Sequence, residues 1–204
     1  MKKIIIPLLI LFSSCYAKEP IYPQKKINKP VVNTKVIYIQ PLGNVKLQYL
    51  EIVKNSVESF YGFKCIIKNQ IPLTNDILAS SKTRYEASKI LEKFNTTENL
   101  LILTEKDIAC QKNQYPEWGI LGLGYRPGTT CVVSTFRMKK NVTESVIIDR
   151  LKKVTLHEIG HNLGLDHCTN DIHCMMNDAN GTIKQVDKEK IWLCDKCWRI
   201  IKNS

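Results

Sequence analysis

Apolar residues recur along this chain in two rhythms, and their alternation lays out most of the expected fold. Residues 35–40 (KVIYIQ) form a short apolar run closed by Pro41, Leu42 and Gly43, which predicts a strand. Leu50, Val53, Val57 and Phe60 follow at helical spacing, with Gly62 marking the helix end. A second, partly apolar strand is expected over 65–71 and a third over 100–103. Between them, Thr83 and Glu86 have the spacing of a capping box in front of Ala87, Ile90, Leu91 and Phe94, again a helical stripe. Strand, helix, strand, helix, strand is the order of an α/β layer whose sheet is covered by helices.

The pattern then changes. Residues 118–125 (WGILGLGY) mix apolar side chains with three glycines, and 130–136 (TCVVSTF) form another extended run. Pro127 and Gly128 supply a turn between them, so an antiparallel pair is expected. The glycines either admit an extended peptide along this edge or leave the edge irregular. A longer helix is predicted from a cap at Asn141 or Thr143 to Leu163, its stripe of Ile147, Leu151 and Val154 leading into His157 and His161. A last helix is predicted with Asp187 as N-cap, Val186 stapled onto Ile191, and Cys194 and Trp198 on the same face. No repeat or low-complexity tract interrupts the chain.

Length and composition narrow the class. With 204 residues, 44% of them apolar and only eight prolines, one folded domain is expected, and collagen-like, wholly disordered and multi-span membrane chains are excluded. The formal charge of +11 permits attraction to acidic partners and identifies none. At the N-terminus, Lys2 and Lys3 precede the apolar stretch 4–12 and the small, polar stretch 13–17, the order of a secretory signal. The apolar stretch is too short to span a bilayer as a helix. The reading is therefore a signal peptide over 1–17, a proline- and lysine-bearing spacer over 18–33 and a domain over 34–204. Cleavage after Ala17 frees the protein into periplasm or medium, whereas the stretch 12–15 resembles a lipobox and lipidation at Cys15 tethers it to a membrane. Export is expected either way, most simply as a monomer.

All four histidines lie between positions 157 and 173, in HEIGHNLGLDHCTNDIHC. His157 and His161, four apart on a helix, face the same way and can share one metal, and Glu158 beside them can take a proton from a metal-activated water. Gly164 falls where the helix should stop, and its freedom at positive φ lets the chain return His167 toward the same ion. Three neutral imidazoles and a water make a catalytic zinc site with an exchangeable position. An isolated helical histidine pair is more often packing or surface; the glycine and third histidine at the required places separate this chain from that case. His173 is read as a loop bystander.

The motif HExxHxxGxxH resembles that of the metzincin metallopeptidases, and the cysteines after it make the chain similar specifically to the archaemetzincins, or archaelysins. That family pairs HExxHxxGxxHC with CxM and, seventeen residues later, CxxC; here these are Cys168, Cys174 to Met176, and Cys194 to Cys197. The likeness extends more softly over about 34–200. It implies a compact metzincin-like α/β zincin with a twisted mixed sheet, an active-site helix and a C-terminal helix. By the same resemblance His157, His161 and His167 bind catalytic zinc, Glu158 is the general base and Met176 is the methionine of the turn beneath the metal. Thr169 to His173 make five residues where the family commonly has four, so the loop between the first two cysteines departs from the pattern.

Cys168, Cys174, Cys194 and Cys197 have the number and spacing for a structural all-thiolate zinc, and the family favours that; two disulfides are the alternative in an exported chain. Cys65, Cys110 and Cys131 remain, either one pair and a thiol or three buried thiols. The function expected is zinc-dependent hydrolysis of peptide bonds in a peptide or protein substrate, with Arg137 and Tyr125 as candidate helpers at the oxyanion. The rivals are a noncatalytic zinc-bearing binding or structural protein of the cell envelope, and a basic nucleic-acid-binding module. A staple needs no base beside its ligands, which disfavours the former, and the complete histidine motif disfavours the latter; no nucleic acid is expected as a partner.

Overall fold

The computed structural model describes residues 35–179 and 182–202. Five strands form the main sheet: β1 (Val36–Leu42), β2 (Lys64–Ile67), β4 (Asn99–Thr104), β7 (Gly122–Gly124) and β8 (Thr130–Ser134), in the order β2-β1-β4-β8-β7. All neighbours are parallel except β7, which runs antiparallel to β8 at the sheet edge. A smaller sheet of β3 (Tyr85–Glu86), β5 (Ile108–Lys112) and β6 (Tyr115–Ile120) lies in the order β3-β5-β6. The helices are α1 (Leu47–Tyr61), α2 (Ala87–Lys93), α3 (Glu144–Asn162), α4 (Ile183–Lys188) and α5 (Asp195–Lys202).

Strand alternation divides the core in two. Leu101 and Leu103 of β4, with Ile37 and Ile39 of β1, face a cluster built on Val53 and Val57 of α1 and Leu151 and Val154 of α3. Leu100 and Ile102, with Val132, face the opposite way onto Ile90 and Leu91 of α2. The period of two thus sends neighbouring residues of one strand into different layers, which gives the central strand its continuous apolar run. Gly62, at φ 72, ends α1 in the left-handed conformation and donates its N–H to the Glu58 carbonyl. The compact metzincin-like α/β arrangement inferred from the sequence is the one observed.

Three expectations are corrected. Thr83 and Glu86 do not form a capping box: α2 starts at Ala87, no side chain caps it, and residues 85–86 are drawn into β3 by pairing with Ile108 and Ala109. The single C-terminal helix is two short ones. Asp187 lies inside α4, where its carboxylate receives two hydrogen bonds of 2.7 Å from Arg150, and the chain is not helical again until Asp195. Tertiary pairing of a buried guanidinium overrides the capping preference of an aspartate here. Localisation is the third. Against the expected exported or membrane-anchored state stands one finding: among the described residues no helix is long and apolar enough to cross a membrane. The longest described helix, α3, spans 19 residues but carries charged side chains and the motif histidines along its length. The expected signal segment 1–17, with Cys15, and the expected spacer 18–33 lie outside the described residues.

Candidate metal centre

The C-terminal half of α3 brings the motif onto one face. His157 and His161 lie edge to face with ring centroids 4.6 Å apart, and His167 returns to 4.9 Å from His161 and 5.4 Å from His157. One donor atom from each of the three imidazoles falls within 4.8 Å of the others, close enough for a single ion. Gly164 makes the return: at φ 90 it donates its N–H to the His161 carbonyl at 2.8 Å, and Leu165 then bonds back to Gly160 at 2.9 Å.

Outer hydrogen bonds set the histidine tautomers. A carbonyl oxygen only accepts, so His157 Nδ1–H donates to Met175 O at 2.6 Å and His161 Nδ1–H donates to Leu165 O at 2.8 Å. Each leaves the Nε2 lone pair free for a metal. Burial, with repulsion from His161 behind it, lowers the His157 pKa to about 3, and burial also lowers that of His161. Both rings are therefore neutral at ordinary pH, the form a cation binds. His167 is exposed, and its Nδ1 lies 3.9 Å from Asp178 Oδ2.

Glu158 is buried beside this triad, against the glycines of the edge strand. An ideal Cβ on Gly122 would stand 2.6 Å from Glu158 Oε1, and one on Gly124 would stand 3.3 Å from Oε2. Burial raises the Glu158 pKa to about 8, and a cation alongside would draw that value down toward the ionised form. Below the helix, Met176 is fully buried with Sδ 2.5 Å from where a Gly160 Cβ would sit, which explains why the helix carries glycine there. Cys168 N–H donates to Met176 O at 2.6 Å, fastening the turn to the third histidine's neighbour.

A second cluster lies beside the first. The sulfurs of Cys168, Cys174, Cys194 and Cys197 are all buried and within 4.8 Å of one another. Their closest separations are 3.6 Å for Cys168 with Cys194, 3.6 Å for Cys194 with Cys197, and 3.9 Å for Cys174 with Cys197. Four sulfurs at about 2.3 Å from one zinc stand about 3.8 Å apart along the edges of a tetrahedron, so the donor set fits that ion. Burial raises the thiol pKa values of Cys174, to about 12, and Cys197, so a shared cation is what would let these groups ionise together. Cys65, Cys110 and Cys131 are free thiols, the last buried in β8.

A cleft of about 440 Å³ runs past both the imidazoles and the glycine edge, lined by Trp118, Gly122, Gly124, His157, Glu158 and His161 among others. Strand β7 is half of what the sequence suggested as one extended segment. Residues 118–120 pair instead with β5 in the small sheet, and only 122–124 pair with β8. Neither of the two suggested helpers is among the residues lining this cleft. Arg137 is held by Asp107 at 2.7 and 2.9 Å with its guanidinium against Gly119, and Tyr125 packs on the Leu100 and Val132 cluster. His173 is outside the triad, its Nδ1 3.4 Å from Lys188 O, and the extra loop residue is taken up by a turn in which Asp171 receives the N–H groups of His173 and Cys174 at 2.8 and 3.1 Å. Sequence reasoning missed the part of Gly122 and Gly124 in confining Glu158; the glycine spacing was visible, its partner was not.

Comparison with known proteins supports the same reading. A family model described as peptidase family M54 matches residues 52–203. The archaemetzincin of Halobacterium salinarum is 26% identical over 174 residues, covering 80% of this chain and 97% of the relative. That of Archaeoglobus fulgidus is 29% identical over 161 residues, covering 79% and 95%. A crystal structure of the Archaeoglobus fulgidus protein is similar with a TM-score of 0.71 and 28% identity, over 81% of this chain and 99% of that one. The Methanopyrus kandleri archaemetzincin has the same fold at a TM-score of 0.70 and 21% identity, over 86% and 98%.

Proposed function

This chain belongs to peptidase family M54, the archaemetzincins, and from that premise we propose that it hydrolyses peptide bonds at a zinc ion held by His157, His161 and His167, with Glu158 as general base. Family membership makes it a zinc-dependent metallopeptidase acting on peptides or proteins. The observation that carries the residue assignment is the convergence of three imidazoles and one buried carboxyl group on a single cleft.

Zinc, when bound, supplies a Lewis acid that polarises the scissile carbonyl and lowers the pKa of a water. The residues do the rest. His157 and His161 present Nε2 because their Nδ1–H groups are committed to Met175 and Leu165 carbonyls. Glu158 accepts the water proton as the water oxygen attacks the carbonyl carbon, then delivers it to the amine nitrogen as the carbon–nitrogen bond breaks. Gly122 and Gly124 hold that carboxylate in place by leaving room for it and little more. The free side of β7 receives an extended substrate by backbone pairing, since it is a sheet edge along the cleft. Met176 supports the triad from below through its contact with Gly160. The four thiolates would hold a second, structural zinc; their mutual spacing supports one ion rather than two sulfur pairs.

The test is a mixed-sequence peptide pool incubated with zinc-loaded full-length chain and, beside it, an equally folded, equally zinc-loaded Glu158→Ala variant. Cleavage by the wild type alone is expected. Undiminished turnover in the variant removes Glu158 from its role, and no cleavage by the wild type at full zinc occupancy overturns the peptidase assignment for this chain.

A further inference from the structure

The cleft continues beyond the imidazoles. Val154 precedes His157 by three positions and Glu158 by four, so it shares their face of α3 about one turn, or about 5.4 Å, nearer the helix start. At that end the cleft wall is made by Val154, Ala179, Val186 and Glu189. The valines give it an aliphatic lining; Glu189, the residue that ends α4, gives it a carboxylate.

Glu189 is only 4% exposed, and its Oε1 is shielded from solvent without a hydrogen-bond partner. The groups facing it are few. The Gln185 side chain hydrogen-bonds the carboxylate, and Lys153 acts on it through charge. Lys153, however, is already paired with Asp149 at 2.6 Å, and Arg150, the next cation on α3, is committed to Asp187. The one cation of this group is thus engaged by Asp149, and no ion pair reaches Glu189 among the described residues. Burial above all pushes the Glu189 carboxyl up to about 8, which is the energetic mark of a group lacking its cation. A buried oxygen left unpaired in the wall of a binding cleft calls for a ligand group that completes it.

We propose that Glu189 is a specificity-determining residue that selects a lysine or arginine side chain adjacent to the scissile bond of the substrate. The inference rests on the peptidase reading above and extends it to a substrate class. The stem of the basic side chain lies along Val154 and Val186, and its charged head pairs with the Glu189 carboxylate; a lysine or arginine side chain reaches about as far as the one helical turn separating this pocket from the triad. Arginine, with its planar fork, can engage the unpaired oxygen while Gln185 keeps the other.

The experiment uses zinc-loaded full-length chain and peptides identical except beside the cleaved bond, where they carry lysine, arginine, norleucine or glutamate. The expected kcat/KM for lysine and arginine exceeds that for norleucine by about tenfold or more, with glutamate poorest. Glu189→Gln brings the basic-to-norleucine ratio close to one. Glu189→Asp keeps the charge but withdraws it, lowering the ratio for lysine more than for the longer arginine. The same ranking is read independently as Kd, by fluorescence anisotropy of the lysine and norleucine peptides on the zinc-loaded Glu158→Ala variant. Ratios unchanged in both variants, or a wild type indifferent to the basic side chain, overturn the assignment of Glu189 alone. No cleavage of any peptide overturns the peptidase reading, and the anisotropy ranking then still decides whether Glu189 recognises a cation.

Discussion

Replacing Gly122 with alanine isolates the placement of the base from its presence. The backbone at this position is not in the left-handed region, so alanine is conformationally acceptable, and the only obstacle is the space its methyl group enters. That methyl would lie 2.6 Å from Glu158 Oε1, 2.7 Å from Cγ and 2.8 Å from Cδ. Ordinary contact begins at 3.4 Å, so the carboxylate must retreat by about 0.8 Å. A side chain pushed off its rotamer by this much costs about 0.5–1.5 kcal/mol, a small loss of stability. Displacing a catalytic group by about 1 Å costs on the order of a hundredfold in rate. Gly122→Ala is therefore expected to keep its zinc and lower Tm by only a few degrees, yet lose about two orders of magnitude in kcat/KM. The assay is steady-state cleavage of one good peptide, with zinc content and a thermal melt on the same preparation. Wild-type kcat/KM in a zinc-replete variant would refute the idea that the edge strand fixes the base, as would a loss of activity that merely follows loss of zinc or of fold.

Other substitutions probe the scaffold. Gly160→Ala would normally favour a helix by about 1 kcal/mol, but its methyl meets Met176 Sδ at 2.5 Å, so a destabilisation of about 1–3 kcal/mol is expected in urea unfolding, and a stabilised variant would refute the contact. Arg150→Met removes the two bonds to Asp187 and the 2.7 Å bond to Met138 O, for an expected loss of about 2–3 kcal/mol. The hydrogen bonds from Arg150 depress the folded pKa of Asp187, so its contribution is present above the unfolded value of about 3.9 and is lost as pH falls through the folded one; the stability gap between wild type and Arg150→Met should narrow below about pH 4 and stay constant above pH 6. Cys197→Ser is expected to drop the bound zinc by one equivalent and abolish the protection against chelator-induced unfolding, measured by metal analysis and circular dichroism.

Legibility in the sequence followed the range of the interactions involved. Strands β1 and β4 and helices α1 and α3 announce themselves because each buries a periodic apolar set, and the triad is legible because His157, Glu158, His161 and His167 fall within a dozen residues of one helix and its turn. The β5 and β6 pair was missed. Its pairing is broken by a register shift between Cys110 and Lys112, it turns through Asn113 at φ 52, and its residues do not alternate cleanly. The asparagine was the available signal. Asp187 read as a cap because that is its local preference, and only the fold reveals Arg150 across from it. A contact such as that of Gly122 with Glu158 joins segments dozens of residues apart and leaves no periodic trace, and the burial of the Glu189 oxygen shows only in the fold.

The adjacency of His167 and Cys168 ties the two candidate metal sites through a single peptide bond. No hinge separates them, and the intervening backbone is further clamped by Met176 O. A cation held by the four sulfurs would therefore also help to fix where the third imidazole stands. If the cluster does hold that ion, oxidising the four sulfurs is expected to lower hydrolysis without altering any atom of the histidines, a loss that peptide cleavage before and after mild oxidation would read.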